Sequence, residues 1–361
     1  MKPPTSILSI AAIVLAGTIA SSHAQNATTD PVGFVTVDIP QNSDTLLSAP
    51  LTQPPVYSGS VSTRSGFTVS VSPSPSWSTF SGPHYLQVGD GSQAGMIFDI
   101  ANNTSDTLTI VDNGIEPTGL ASGTTFKIVP YWTLGMLFPA SSANASYTPS
   151  TSTSGSGRRT QILFPNIVGT GANRAPSSIY FSFNGTWRNT ASPSLSANDT
   201  PILPDSYFIV RNPSTAADGL KLTVAGAVSV TPIAVPLDSA ATTNDNYVSI
   251  SRPLDITLDN LGLVNTGNLT ASPFTASVGT SGGTRRDQLM VFNNSATGFN
   301  KSPSAIYYYL STNSTSGWRS TSNSTADAGN TILPAGSAVL IRKSAGVAPT
   351  KFWKNEISLA Q

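Results

Sequence analysis

Pro176-Ser177-Ser178-Ile179-Tyr180-Phe181-Ser182-Phe183-Asn184-Gly185-Thr186-Trp187 is the stretch on which the fold turns. Asn184-Gly185 is the dipeptide best suited to a two-residue hairpin turn, because both residues accept positive φ. The first half of the stretch returns 127 residues later as Pro303-Ser304-Ala305-Ile306-Tyr307-Tyr308. Upstream, Gly157-Arg158-Arg159-Thr160-Gln161-Ile162-Leu163-Phe164 returns at the same spacing as Thr284-Arg285-Arg286-Asp287-Gln288-Leu289-Met290-Val291. Downstream, Trp187-Arg188 returns as Trp318-Arg319, with the spacing grown to 131. Ile202-Leu203-Pro204 returns as Ile332-Leu333-Pro334, and Arg211 as Arg342. This is an internal repeat. The spacing changes between Phe183 and Trp187, where copy two carries Ser311-Thr312-Asn313-Ser314-Thr315-Ser316-Gly317. Insertions at a hairpin tip leave the ladder intact, so the change itself marks strand, turn and strand.

Side chains alternate along a strand. Ile179, Phe181 and Phe183 share one face, as do Ile306, Tyr308 and Leu310, and that face is expected to be the core. Tyr180 and Ser182, matched by Tyr307 and Tyr309, are expected to face outward. Leu203-Pro204-Asp205-Ser206 and Leu333-Pro334-Ala335-Gly336-Ser337 read as proline turns, each feeding an apolar strand that ends at an arginine.

Toward the N-terminus the same grammar continues. Residues 33–39, 67–71, 96–100, 107–111 and 126–129 read as strands, and Asn102-Asn103-Thr104-Ser105-Asp106 as a hairpin loop. Helix signals are weak, with only Glu116 and Glu356 as glutamates. A looser threefold echo links residues 33–39, 126–129 and 247–250. The fold class is all-β: an N-terminal antiparallel β-region (25–130) followed by two tandem, related, sandwich-like domains (131–236 and 237–361).

Lys2, the apolar run Ile7–Ala20 and Ser22-His23-Ala24 read as an export signal, with the mature chain expected to start near Gln25. The apolar run is short for a membrane span, and no later segment reads as one. The protein is therefore expected in the periplasm, on the cell surface or outside the cell. Lys+Arg and Asp+Glu balance at 18 each and charged residues are only 10%, so no electrostatic footprint for nucleic acid or anionic membrane is present. Hydrophobic residues reach 39% in short alternating runs, which argues against disorder. Cysteine is absent, which removes disulfides, thiol catalysis and cysteine metal sites.

Asp30-Pro31-Val32-Gly33-Phe34-Val35-Thr36-Val37, then Leu46-Leu47-Ser48-Ala49-Pro50-Leu51, resembles the opening of an uncharacterised family of secreted bacterial proteins. Its repeated module resembles residues 180–187 with 202–213; copy two departs from it, lacking the Asn-Gly turn and reading Arg342-Lys343-Ser344. The resemblance implies secretion and a repeated β architecture, and carries no catalytic residue.

No catalytic constellation stands out. His84 is the one histidine beyond the signal, beside Gly82-Pro83, and reads as a loop or turn residue. The aspartates sit mostly in turns, where their side chains bond local amides. Asp99, Asn102, Asn103 and Asp106 are the densest oxygen cluster, without a calcium-loop spacing. No metal or other cofactor is expected. Two sets of candidates for binding extracellular polysaccharide remain. Tyr307, Tyr309, Trp187 and Trp318 would stack on sugar rings. The repeated pairs Arg158-Arg159 and Arg285-Arg286 would fork onto acidic groups. The leading expectation is a non-enzymatic structural, adhesive or matrix protein. Polysaccharide or cell-envelope binding is the alternative, a cryptic glycan hydrolase the second, and self-association through strand edges stays open.

Overall fold

The computed structural model describes residues 31–140, 146–312, 315–346 and 348–355. The export signal read at residues 1–24 lies outside them. The described chain is nearly all β. In chain order, β1 (Val32–Ile39) and β2 (Ser43–Leu47) come first. Next are β3 (Tyr57–Ser60), β4 (Thr63–Ser65), β5 (Thr68–Ser70), β6 (His84–Val88), β7 (Ile97–Asn103), β8 (Thr107–Ile110) and β9 (Thr125–Pro130). Then follow β10 (Trp132–Thr133), α1 (Leu134–Leu137), β11 (Gln161–Phe164), β12 (Ser178–Phe183), β13 (Thr186–Asn189), β14 (Pro201–Ile202), β15 (Phe208–Asn212) and β16 (Leu220–Ala227). The last group is β17 (Ile233–Leu237), β18 (Asn244–Ser249), β19 (Ile256–Thr257), β20 (Gln288–Val291), β21 (Ala305–Ser311), β22 (Ser316–Ser320), β23 (Ile332–Leu333), β24 (Ala338–Lys343) and β25 (Lys351–Asn355).

The repeat appears as two five-stranded antiparallel sheets of the same order, β2-β15-β11-β12-β13 and β18-β24-β20-β21-β22. Each faces a two-stranded ribbon, β1 with β16 and β17 with β25. Short pairs, β10 with β14 and β19 with β23, complete the copies. The core of copy one joins Leu222 and Val224 of its ribbon to Ile162, Trp187 and Phe208 of its sheet. In copy two, Val235 and Trp353 meet Leu289, Trp318 and Ile341 in the same way. Strands β3–β9 form a seven-stranded sheet, ordered β3-β9-β6-β7-β8-β5-β4, that curls into a half-barrel. Leu86, Phe98, Leu108, Phe126 and Ile128 fill it. Among the described residues no helix is long and apolar enough to cross a membrane.

These pairings draw the boundaries elsewhere than the sequence suggests. Residues 25–130 are not one domain, because β1 and β2 belong to copy one and the half-barrel is inserted between β2 and β10. The physical reason is edge and face coverage. Without β2, strand β15 would show a bare edge, and without β1 so would β16. The counterpart of β1 is β17; the threefold echo to residues 126–129 and 247–250 does not correspond to structure, since those residues lie in β9 and at β18.

The hairpin reads as expected, with Asn184 at φ 50° and Gly185 at φ 72°. Its faces do not. A two-residue turn places Trp187 opposite Ser182, and in copy two Trp318 lies opposite Tyr309. Opposed residues share a face, so the tryptophans carry Tyr180, Ser182, Tyr307 and Tyr309 toward the main cores. The face assigned to the core from sequence is the other one. There Phe181 and Tyr308, both 0% exposed, are roofed by arginines.

The two copies are clasped by a reciprocal exchange. Asp44 (2% exposed) and Asp245 (0%) sit at equivalent places on β2 and β18. Arg211 of β15 donates to both oxygens of Asp44 at 2.8 and 2.7 Å, and Arg342 of β24 to both of Asp245 at 2.6 and 3.0 Å. The remaining capacity is filled from across the copies. Asn300, in the β20–β21 loop of copy two, donates its backbone N–H to Asp44 at 2.7 Å. Asn173, in the β11–β12 loop of copy one, donates to Asp245 at 2.7 Å. Gly298 and Gly171 accept the backbone N–H groups of Asp44 and Asp245 at 2.9 and 3.1 Å. Asn173 and Asn300 both adopt positive φ, 54° and 49°, a conformation asparagine tolerates better than most residues. The exchange follows a pseudo-two-fold axis. Leu46, Tyr207 and Ala338 cluster at the junction, with Tyr207 edge-on to Tyr247.

One buried pair differs between the copies. Thr160 Oγ1 donates to Asn212 Oδ1 at 3.0 Å in copy one. The equivalent residues in copy two, Asp287 and Lys343, form an ion pair at 0% and 4% exposure. Backbone N–H groups of Thr275 and Ser344 satisfy the carboxylate further. Removing one charge of a buried pair costs about 3–5 kcal/mol, whereas replacing both by a matched neutral pair is close to neutral. Lys343→Ala is therefore expected to lower stability in urea titration by about 3 kcal/mol or more. The double variant Asp287→Thr/Lys343→Asn, which installs the copy-one pair, is expected to stay within about 1–2 kcal/mol of the parent. Equal losses in the two variants would count against this account.

Candidate functional site

The residues expected to bind sugar are spent inside the fold. Trp187 (1% exposed), Trp318 (2%) and Tyr309 (6%) lie in the cores of the two copies. Trp187 Nε1 donates to the Phe138 carbonyl at 2.9 Å, and its ring packs on Phe138 and Tyr147. Trp318 meets Phe274 and, edge-on, Tyr309. Tyr307 is half-buried against the same core. No aromatic platform is offered to solvent by these four. The reason is the cross-strand register, which turns them inward.

The arginines repeat for a structural reason as well. Arg158 lies 4.7 Å over the Phe181 ring, and Arg285 lies 5.0 Å over Tyr308. Arg158 also donates through Nε and Nη2 to the Thr153 carbonyl, and Arg159 reaches the Thr215 carbonyl. Arg286 is exposed, and its backbone N–H donates to Ser277 Oγ, as that of Arg159 does to Ser150 Oγ. Three candidates lie in copy one and five in copy two, and the structure does not bring the eight together.

The oxygen cluster of the β7–β8 hairpin is likewise internally used. Asn103 holds the loop through the Ser78 and Thr104 carbonyls and the Phe80 N–H. Asp106 accepts from Thr104. Asp99 leaves the cluster to accept from Tyr131 Oη at 2.5 Å. Among the described residues no group of three or more acidic or histidine side chains is placed to hold a metal ion. His84 opens β6, stacks on Phe80 at 4.9 Å and contacts the Gly82 carbonyl through Nδ1.

The residues that do converge on open space were missed. The turn ahead of β15 and the loop after β11 wall two adjoining clefts that share Ile167 and Ser206. One, about 400 Å³, is apolar, lined by Phe164, Pro165, Leu203, Tyr207 and Phe208. The other, about 430 Å³, is polar and lies against copy two, lined by Arg174, Asp205, Asp238, Asn246 and Tyr247. Arg174 is committed to the Asn166, Gly171 and Asp245 carbonyls and to Asn244. Asp238 accepts from Thr350 Oγ1 at 2.6 Å. Asp205 is held by its turn, where its carbonyl accepts from the Ser249 N–H at 3.1 Å.

Asp205 also sits beside the half-barrel. Burial, against the pull of its own backbone N–H and with a smaller push from the Asp99 carboxylate nearby, brings its carboxyl up to about 6. Tyr85 and Tyr131, with rings 4.7 Å apart, flank the place. Burial raises both phenols first; Asp205 raises Tyr85 further, and Asp99 is the larger carboxylate influence on Tyr131. A carboxyl that exchanges its proton near neutrality, next to an apolar wall, can both donate and accept hydrogen bonds. That suits a neutral hydroxyl-bearing ligand better than an anion. The sequence did hold one signal: the repeat breaks here, Asp205-Ser206 answering to Ala335-Gly336-Ser337. Compared with protein-family models, with curated proteins and with solved structures, the chain matches none.

The raised Asp205 has a stability signature. Folding favours its protonated form, so that contribution is complete below the ordinary 3.8 and is lost as pH rises through about 6. Asp205→Asn keeps the neutral shape. The residue as a whole is half-buried and lines the polar cleft, which reduces the effect. The variant is expected to gain about 1–2 kcal/mol at pH 7 and little at pH 4 in urea titrations. An equal change at both pH values would refute the assignment.

Proposed function

We propose that this chain is a structural or adhesive component of an exported surface or matrix, and that its repeat builds a framework. The observation that carries this reading is how the repeated polar groups are used. Asp44, Arg211 and Asn300 with Asp245, Arg342 and Asn173 clasp the two copies together. Arg158 and Arg285 lie over buried rings. What was duplicated is thus the means of holding the framework. The export signal read at residues 1–24 and the resemblance to secreted proteins support the same setting.

A second reading, binding of a saccharide chain, keeps one observation in its favour: the paired clefts around Asp205. It moves the binding residues from the tyrosines and tryptophans to Asp205, Asp238 and Asn246. Retention of the chain from Gln25 to Gln361 on insoluble polysaccharides and on purified cell envelopes tests both. The structural reading expects retention on envelopes that is unchanged in Asp205→Asn and Asp238→Asn. Binding to a defined polysaccharide that falls about tenfold in those variants would replace it with the saccharide reading. A tagged chain found in the cytoplasm would sink both.

A further inference from the structure

The two ribbons are equivalent but differently covered. Val37 on β1 faces Leu222, and Val235 on β17 faces Trp353. Thr36 is therefore the counterpart of Ala234. In copy two the outer side of the ribbon is closed by the inserted half-barrel. Ala234 is 5% exposed, its N–H donates to the Gly95 carbonyl at 2.9 Å, and Phe352 packs on the half-barrel core. The approach is close: a side chain at Gly95 would meet the Pro232 carbonyl at 2.6 Å. The half-barrel can cover one ribbon only, and the ribbon of copy one is left open. Val32 is 81% and Phe34 74% exposed.

The edge of β1 is open as well. The Val228 N–H donates to the Pro31 carbonyl at 2.6 Å. Antiparallel pairs alternate, so odd-numbered residues of β1 turn their backbone groups toward β16. Val32, Phe34, Thr36 and Asp38 turn theirs away. Among the described residues no backbone group bonds to them there. Edges of this length are ordinarily blunted by charge, proline or a bulge. Here the one charge, Asp38, is already paired with Lys221 on the neighbouring strand.

We propose that β1 pairs with β1 of a second copy of this chain, antiparallel about a two-fold axis at Val35. The choice of occupant follows from self-complementarity. With Val35 on the axis, Phe34 lies opposite Thr36 of the second copy, and Val32 opposite Asp38 of the second copy. That register satisfies the free groups of all four residues, brings no like charges together and leaves the Asp38–Lys221 pair intact. It joins two ribbons into one four-stranded sheet and sets the Phe34 side chains within diagonal reach on the same face. It supplies, from another molecule, the edge cover that copy two receives from the half-barrel. The pairing does not rest on the surface role, since a dimer can form whether or not the chain binds envelopes.

Sedimentation equilibrium of the chain from Gln25 to Gln361, over a hundredfold range of concentration, tests it. The apparent mass is expected to double with concentration. Phe34→Lys places a charge in the seam, and Thr36→Pro removes an outward N–H that β16 does not use. Each is expected to raise the dimer dissociation constant by about tenfold or more, with circular dichroism unchanged. Val168→Lys, a change at an exposed loop residue elsewhere, should dimerise as the parent does. If Thr36→Pro disturbs folding, Phe34→Lys alone decides. A parent chain that stays monomeric throughout, or a dimer that survives in folded Phe34→Lys, overturns the proposal.

Discussion

Everything in the two-copy framework leans on two carboxylates that neither copy can satisfy alone. A buried carboxylate costs several kcal/mol to desolvate unless charge and hydrogen bonds replace water. Asp44 receives its charge from its own copy, through Arg211, and its N–H donor from the other, through Asn300. Asp245 is served by Arg342 and Asn173 under the same rule. A copy folded by itself would leave each aspartate short of one donor. The clasp thus converts a tandem repeat, whose members are ordinarily independent neighbours, into one unit with a defined mutual orientation.

That orientation explains how copy one tolerates an insertion as large as the half-barrel. The junction is built by β2, β15, β18 and β24 and by the β11–β12 and β20–β21 loops, and it fixes the chain up to the point where it leaves β2, since Ser48 Oγ donates to the Gly336 carbonyl of copy two at 2.8 Å. The half-barrel can then dock on copy two without disturbing the clasp. Its contacts there combine hydrogen bonds to backbone, Gly95 with Ala234 and Gln87 with the Pro232 carbonyl, with packing of Phe352 and Ala234 on the half-barrel core.

Much of this was legible in the sequence, and the failures have physical causes. The hairpin at Asn184-Gly185 was readable because a two-residue turn with positive φ admits few residues. The inward face was misread because strand alternation gives two faces without saying which is buried. The turn itself held the answer, since it fixes Trp187 opposite Ser182 and a tryptophan seeks the core. The first strands of copy one were assigned to the wrong domain because β1 and β2 share little with β17 and β18 beyond short aliphatic runs and one aspartate. The insertion also removes any constant spacing. Asp44 and Asp245 gave no local signal at all, as their partners are more than seventy residues away in the chain.

Comparing the copies separates what the fold requires from what it permits. Features present in both, such as the clasp, the stacked arginines and the buried tryptophans, are accounted for by stability. Features present in one are free of that demand. The Asp287–Lys343 pair answers to Thr160 and Asn212 at the same burial, so it marks an alternative solution to one packing problem. Asp205 and the bare β1 edge are different in kind. Copy two shows that the turn folds without a carboxylate, and that the ribbon is closed when a cover is at hand. A half-desolvated carboxyl and an uncovered strand edge both carry a cost that the framework does not impose. The repeated residues thus speak for the framework, and any binding of a ligand or of a second chain is best sought where the repeat is broken.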